Sequence, residues 1–444
     1  MFVKKVSIFL IIVMLLSFCG CSATDTSSDY SIVVYEDVVI NKDTDTDNDT
    51  EDTSSKGSSP GKVTDTDSEE SSSKSSSNDT LNNSSVNNSS DTSSDYSSKG
   101  TSTNKGDDFL TTYRIKEYKE KNSKLEAKVS QYQICIKKLG KSYSELNYPK
   151  FSGTTSAEEL TWITDYNKKL NDYCTEIRNL LIKYGRESVK YGVNGDVSKA
   201  YEWAKYAFDK SDNLIALTYD DAPNEVTPAL LDGLKERNVS AVFFLIGKQI
   251  NSGNENQIKR MIDEGHIVGN HSMTHTPLYH KYKNMKVNIG ETNESGIPLD
   301  PTSDVIELSQ ILEQKFGYND FLLRVPGLIY SKTNATYASN GKYDAKTLST
   351  NNYLVLVDTN TNFNDADGSR PWKDIYNDLL NVKPGSIVLM HAKTPSVDAS
   401  LKYIDDMKPQ GYTFVTVPEL LMVYNGKIDL GVAYKSYDSY ANLP

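Results

Sequence analysis

Cysteine is nearly absent, with four residues in 444, at positions 19, 21, 135 and 174. Setting aside the pair near the N-terminus leaves Cys135 and Cys174, too few for a disulfide framework or a cysteine-based zinc site. Both fall in helical patterns, where two buried thiols are the plain reading. A bridge between them would need an oxidising compartment. Basic residues are also short: 48 Lys and Arg face 60 Asp and Glu, for a net charge of −12. That balance argues against a nucleic-acid partner, which favours a basic face. Histidine is scarcer still, with five in all. The hydrophobic fraction, 37%, is low for a chain that is globular throughout.

The apolar deficit is local. Residues 22–107 are mostly Ser, Thr, Asp, Asn, Gly and Lys. Such a stretch buries too little surface to offset its ordering entropy, and it reads as a disordered linker. Before it, Lys4 and Lys5 precede the apolar run Val6 to Phe18. That run is short of the roughly 20 residues a spanning helix needs, so a signal peptide is expected. Ser17-Phe18-Cys19-Gly20-Cys21-Ser22 resembles a bacterial lipobox. The resemblance implies a signal peptide over 1–21, lipidation of Cys21 and tethering to the membrane outside the cytoplasm. A secreted protein cleaved near Ala23 is the other reading.

Residues 108–192 change character. Leu125, Val129, Tyr132, Ile136 and Leu139 form one helical stripe. Leu160, Ile163, Tyr166, Leu170, Tyr173, Ile177, Leu180 and Tyr184 form a second. The breakers Tyr148-Pro149 to Gly153 lie between them, which predicts an antiparallel helical hairpin, either a stalk or a support. From about 193 to 430, short apolar runs alternate with helical stretches such as Pro228–Glu236, Glu255–Glu264 and Ser303–Phe316. The runs are Leu214–Leu217, Ala241–Ile246, Leu322–Leu323, Tyr353–Val357, Ser386–Met390 and Thr413–Val415. That alternation predicts a parallel α/β sheet or barrel, with functional groups at the carboxyl ends of its strands. Residues 431–444 read as a tail.

Asp220-Asp221 ends an apolar run, and His271 and His275 stand four apart. One carboxylate with two imidazoles is a protein ligand set for a catalytic zinc-like ion, with a position left for water. The other aspartate is then available as a base. Either feature alone is commonly a turn, a helix cap or a surface pair of histidines. Three further segments, in this order along the chain, add weight: Arg324-Val325-Pro326-Gly327, then Asp358 to Asp365, then Leu389-Met390-His391.

This ordered set resembles the polysaccharide deacetylase family, whose members share the NodB homology domain, carbohydrate esterase family 4. Thr218-Tyr219-Asp220-Asp221-Ala222-Pro223 stands for its T-F-D-D-G-P, and Gly269-Asn270-His271-Ser272-Met273-Thr274-His275 for its G-N-H-S-x-x-H. Arg324 to Gly327, Asp358 to Asp365 and Leu389 to His391 match the remaining three motifs. The resemblance implies a distorted (β/α) barrel and a hydrolase removing N-acetyl groups from amino sugars of a cell-wall polysaccharide, peptidoglycan first. It implies a divalent metal on Asp221, His271 and His275, with zinc favoured and cobalt or nickel also fitting. Asp220 would be the base, held by a two-toothed contact from Arg324. His391 would be the acid, raised by a carboxylate, with Asp365 chosen over Asp358 and Asp367. Tyr219, Gly327 and Leu389 would meet substrate, Gly327 through its N–H and Leu389 at the acetyl methyl. His266 reads as structural and His280 as exposed.

The departures bear on substrate. Ala222, Val325 and Thr359 stand where a glycine, a proline and an aromatic are usual. Ala366 and Leu328 replace a tryptophan and a glycine. Part of the region from Glu264, and Gly411-Tyr412-Thr413-Phe414, also resembles the subgroup acting on muramic acid residues. The same site could cleave acetyl esters of a polysaccharide such as acetylxylan. A non-catalytic glycan binder is the reading from another class, and the intact set of base, ligands and acid argues against it.

Overall fold

The computed structural model describes residues 105–275, 301–328 and 345–442. The expected signal peptide, Cys21, nearly all of the expected linker and His280 lie outside these residues.

Two long helices open the described chain, α1 (Lys105–Lys138) and α2 (Ser156–Ser188). Thr155 and Glu158 cap α2 reciprocally, each side chain meeting the other's backbone amide. The helices run parallel, not antiparallel as expected. Tyr166 bonds Glu126 and Gln133 bonds Tyr173, each pair 40 residues apart, and a constant difference means a common direction. The reason lies in the connection, residues 139–155. It does not turn but runs back beside both helices, with Tyr173 donating to the Ser144 carbonyl and the Trp162 indole to that of Pro149. Extended chain at about 3.3 Å per residue easily spans the rise of the helix it retraces. The stripe also shifts: Leu181 is fully buried, where Leu180 was expected. Buried Asn122 accepts from Asn167 at 2.6 Å inside the pair, a polar contact that fixes register. Cys135 and Cys174 are free thiols on the two helices, raised in pKa by burial. No helix among the described residues is long and apolar enough to cross a membrane.

The rest alternates strand and helix: β1 (Leu214–Ala222), α3 (Thr227–Glu236), β2 (Val242–Leu245), α4 (Glu255–Asp263), β3 (Ile267–Asn270), α5 (Pro301–Phe316), β4 (Leu322–Leu323), α6 (Ala345–Asn351), β5 (Val355–Val357), α7 (Trp372–Leu379), β6 (Ile387–His391), α8 (Thr394–Met407), β7 (Thr413–Val415), α9 (Val417–Asn425), β8 (Val432–Tyr434) and β9 (Tyr440–Asn442). The strands form one sheet in the order β6-β1-β2-β3-β4-β5-β8-β9, with β7 also paired to β1. Every pairing is parallel except β8 with β9. The ends of the sheet meet: Ser436 bridges Ser386, and Tyr437 N–H donates to the Gly385 carbonyl. This is a distorted (β/α) barrel, with one bridge in place of the strands that would complete it. The expected tail at 431–444 is therefore corrected, because β8 pairs with β5 and Ser436, two residues after it, supplies that bridge. The strand β3 was also missed, being a short Ile-Val-Gly-Asn run beside the histidine motif.

The C-terminal halves of α1 and α2 belong to the barrel's own core. Val129, Ile136, Ile177 and Leu181 share one apolar cluster with Leu214, Ala216, Val242 and Leu420. Arg186 of α2 forks onto both oxygens of Glu419 in α9, at 2.7 and 3.0 Å, and Glu419 is fully buried.

Candidate active site

Consecutive residues of a regular strand face opposite ways. Thr218 and Asp220 accordingly share one face of β1, where both meet Arg324. Tyr219 lies on the other, stacked on Phe243 at 5.5 Å with no exposed surface. The expectation that Tyr219 meets substrate is corrected: the strand pleat sends it into the core under the helices. Asp221 escapes the alternation. The register with β2 slips between Asp220 and Ala222, and Asp221 takes φ 65°. This bulge turns both aspartates toward His271. Its Nε2 lies 3.7 Å from Asp220 Oδ2 and 3.7 Å from Asp221 Oδ1.

His271 comes directly after β3, and its Nδ1 sits 2.6 Å from the Arg324 carbonyl. A carbonyl only accepts, so Nδ1 carries the proton and Nε2 presents its lone pair. His275 Nε2 is 3.4 Å from Asp221 Oδ1. One ligand atom from each of Asp221, His271 and His275 lies within 4.8 Å of the others. Asp221 Oδ1 is buried without a hydrogen-bond partner, an acceptor left unmet among two imidazoles. Burial and the neighbouring His271 lower the His275 pKa, which favours the neutral ring a cation needs. These residues fit a divalent ion.

The two histidines do not ride on a helix. Ser272 and His275 take φ 63° and 62°, and the backbone between them is held from both sides. Gly247 and Lys248 amides donate to the Ser272 and Met273 carbonyls, and Met273 N–H donates to the Asp304 carbonyl. Asn270 Oδ1 accepts from Ser272 N–H, and Lys248 Nζ donates to the Thr274 carbonyl. A Cβ on Gly247 would lie 2.2 Å from Met273 Sδ and 3.0 Å from Met273 Cα, so a larger residue here would displace the Met273 side chain.

Arg324 directly follows β4 and has no exposed surface. Its guanidinium donates to Asp220 Oδ1 at 2.9 Å and Thr218 Oγ1 at 2.6 Å, both from one nitrogen. The other two nitrogens reach the Val357 and Asp358 carbonyls, and the group lies 4.3 Å from the Phe244 ring centre. The expected two-toothed contact is thus single. The remaining donors serve the backbone at the end of β5 and just beyond it, leaving Asp220 Oδ2 open toward the site.

Asp220 of β1 and His391 of β6 are register partners on neighbouring strands. His391 Nδ1 meets Asp365 Oδ1 at 2.9 Å, while Asp365 Oδ2 accepts the His391 amide at 2.8 Å. Burial opposes charging of His391, but the Asp365 hydrogen bond and the charges of Asp220, Asp365 and Asp221 outweigh it and raise its pKa. Asp365 is shifted down: burial opposes, and bonds from His391 and Ser396 prevail. Asp358 instead accepts from the Thr359 amide and pairs with Lys435 at 3.6 Å, and Asp367 accepts from the Ser369 amide. Leu389, two residues before His391, shares its half-exposed face of β6. Gly327 is exposed in the turn after Arg324, at φ 63°. His266 lies apart, buried, accepting from the Ala241 amide, with its pKa pushed down to about 4 by burial. Ser396, Asp304 and Asn270 as a brace were not foreseen. Only the last sits in a motif.

Residues 208–345 match the polysaccharide deacetylase family. The chain is 32% identical over 241 residues to a peptidoglycan-N-acetylglucosamine deacetylase of Bacillus cereus, covering 50% of this chain and 74% of that one. It is 30% identical to a peptidoglycan-N-acetylglucosamine deacetylase of Listeria monocytogenes over 51% of this chain and 42% of that one. A bifunctional xylanase/deacetylase of Pseudobutyrivibrio xylanivorans is 27% identical over 52% of this chain and 34% of its own. With the paired aspartates, the two histidines and the Arg324 and His391 contacts gathered at one end of the barrel, the chain belongs to the polysaccharide deacetylase family.

Proposed function

We propose that this deacetylase removes N-acetyl groups from the amino sugars of peptidoglycan, with N-acetylglucosamine as the sugar. The observation that carries the reading is the register pairing of Asp220 with His391, which sets a carboxylate and an imidazole beside the Asp221-His271-His275 triangle. The named relatives support the glycan.

Amide hydrolysis needs an activated water, a stabilised oxyanion and a protonated leaving amine. Asp221, His271 and His275 would hold the divalent ion, zinc by ligand type with cobalt or nickel also fitting. When bound, that ion supplies Lewis acidity toward the acetyl carbonyl and the water. Asp220 takes the proton of the attacking water at Oδ2, while Arg324 fixes Oδ1 and keeps the carboxylate oriented. Gly327 N–H is the proposed second donor to the oxyanion. His391 delivers its Nε2 proton to the departing nitrogen, and Asp365 on Nδ1 holds the ring in the orientation that does so. Leu389 faces the acetyl methyl.

The reading includes placement outside the cytoplasm, with a lipid on Cys21 tethering the enzyme near the wall. Acetate release from peptidoglycan and from acetylxylan, with and without chelator and added zinc, tests the function. Release from acetylxylan alone would make the enzyme an esterase; release from neither would leave a glycan binder.

A further inference from the structure

The hydroxyl of Ser396 lies 2.5 Å from Asp365 Oδ2. Ser396 is in the first turn of α8 and has no exposed surface. A serine in a first turn ordinarily bonds its own helix backbone. This one donates to a carboxylate that comes from the loop after β5. Asp365 is itself 2% exposed, so each of its contacts must come from protein. Its Oδ2 takes the His391 amide and the Ser396 hydroxyl, and its Oδ1 is thereby aimed at His391 Nδ1.

We propose that Ser396 is a positioning residue for the reaction, acting through Asp365 to orient His391. The inference rests on the function proposed above. Two donors from separate elements, the end of β6 and the start of α8, pin Oδ2. Without the hydroxyl the carboxylate keeps a single anchor beside His391 and can rotate about its terminal torsion, which is broad and soft. The imidazole then loses its fixed partner. Ser396 lies one residue beyond the reacting groups, so substrate affinity and metal content are untouched.

The test compares S396A and S396C with the full-length enzyme. Alanine leaves a small gap, whereas cysteine fills the site with a slightly larger side chain that is a weak donor, so a loss shared by both follows the hydrogen bond and not the packing. In both variants kcat should fall on the order of tenfold, as loss of a hydrogen bond to a charged group implies. KM and bound metal should stay unchanged. In a D365N background S396A should cost nothing further, because its route is already cut. Wild-type kcat in both variants would overturn the proposal. So would an equal loss in the D365N background, or a change confined to KM. Wild-type protein that releases no acetate at all would instead sink the functional reading.

Discussion

Thr274 gives both its backbone N–H and its hydroxyl to one oxygen of Asp304, at 3.2 and 3.1 Å. Asp304 is fully buried at the start of α5, and its own carbonyl takes the Met273 amide. A helix that contributes no ligand therefore sets where His275 stands. Asp304→Ala should weaken metal binding by about 10- to 100-fold, the usual cost of losing an outer-shell partner. Competition with a chromogenic chelator reads this directly. Unchanged affinity in a folded variant would remove Asp304 from the site's support.

His275→Ala should go further and abolish stoichiometric metal binding, because two ligands remain. The wild-type protein should melt higher with zinc than after chelation. At a free concentration of 100 times Kd the ion contributes about 2.7 kcal/mol. His275→Ala should show no such rise. Full metal content in that variant, by elemental analysis, would contradict the ligand assignment.

Asp220→Asn should retain the metal and lose about 10²- to 10⁴-fold in kcat, the range for removing a general base. The complementary outcome is informative. If Asp220→Asn sheds the ion while Asp221→Asn holds it, the two aspartates have exchanged roles.

The acid must be protonated, so activity falls as pH rises through the His391 pKa. Asp365 raises that value above the ordinary 6.5. The alkaline limb of kcat should therefore lie above that figure in the wild type. In Asp365→Asn, burial is opposed only by the more distant carboxylates, and the limb should move to lower pH. The same pair affects stability. The raised histidine stabilises the fold below its unfolded pKa and loses this as pH rises through the folded one. The lowered aspartate stabilises above its unfolded pKa and loses this as pH falls. An unmoved alkaline limb in Asp365→Asn would separate Asp365 from the acid.

Arg186→Met should lower unfolding free energy by about 3–5 kcal/mol, because it strands Glu419 as a buried, unpaired charge. Denaturant unfolding measures it, and kcat should hold, since Arg186 also meets Ser240 just before β2, at the opposite end of the strands from Asp220 and His391. A loss below about 1 kcal/mol, the range of exposed ion pairs, would mean that solvent reaches Glu419.

Much of the barrel was legible because buried parallel strands read as unbroken apolar runs: Leu214 to Leu217 and Ala241 to Ile246 announce themselves. The strand β8 did not, since Val432 to Tyr434 is three residues long, between Gly431 and the polar Lys435-Ser436. The direction of the helix pair was illegible for another reason. Periodicity states which face is buried, not which way the helix runs, and residues 139–155 carry breakers that suit a turn or a strap equally. At the site, Asp221, His271 and His275 stood out by type and spacing. Tyr219 misled because a motif position was taken as a contact, where pleat alternation with Asp220 assigns it to the core. Ser396 and Asp304 were invisible because a serine and an aspartate near helix starts look like caps.

The parallel helix pair has a mechanical consequence. Both C-terminal ends, at Ile136 and Leu181, are rooted in the barrel core, so the chain enters at the far tip of α1. From Lys105 to Val129 that is about 36 Å of rod at 1.5 Å per residue. A pull on the chain before Lys105 is directed along the α1 axis and away from the barrel. It loads the contacts at Glu126, Val129, Tyr132, Gln133 and Ile136 in shear, all at once, instead of peeling them in turn. A hairpin opened at its loop would give way one contact after another. This arrangement resists as a lap joint does, with Arg186 and Glu419 as the rivet at its root.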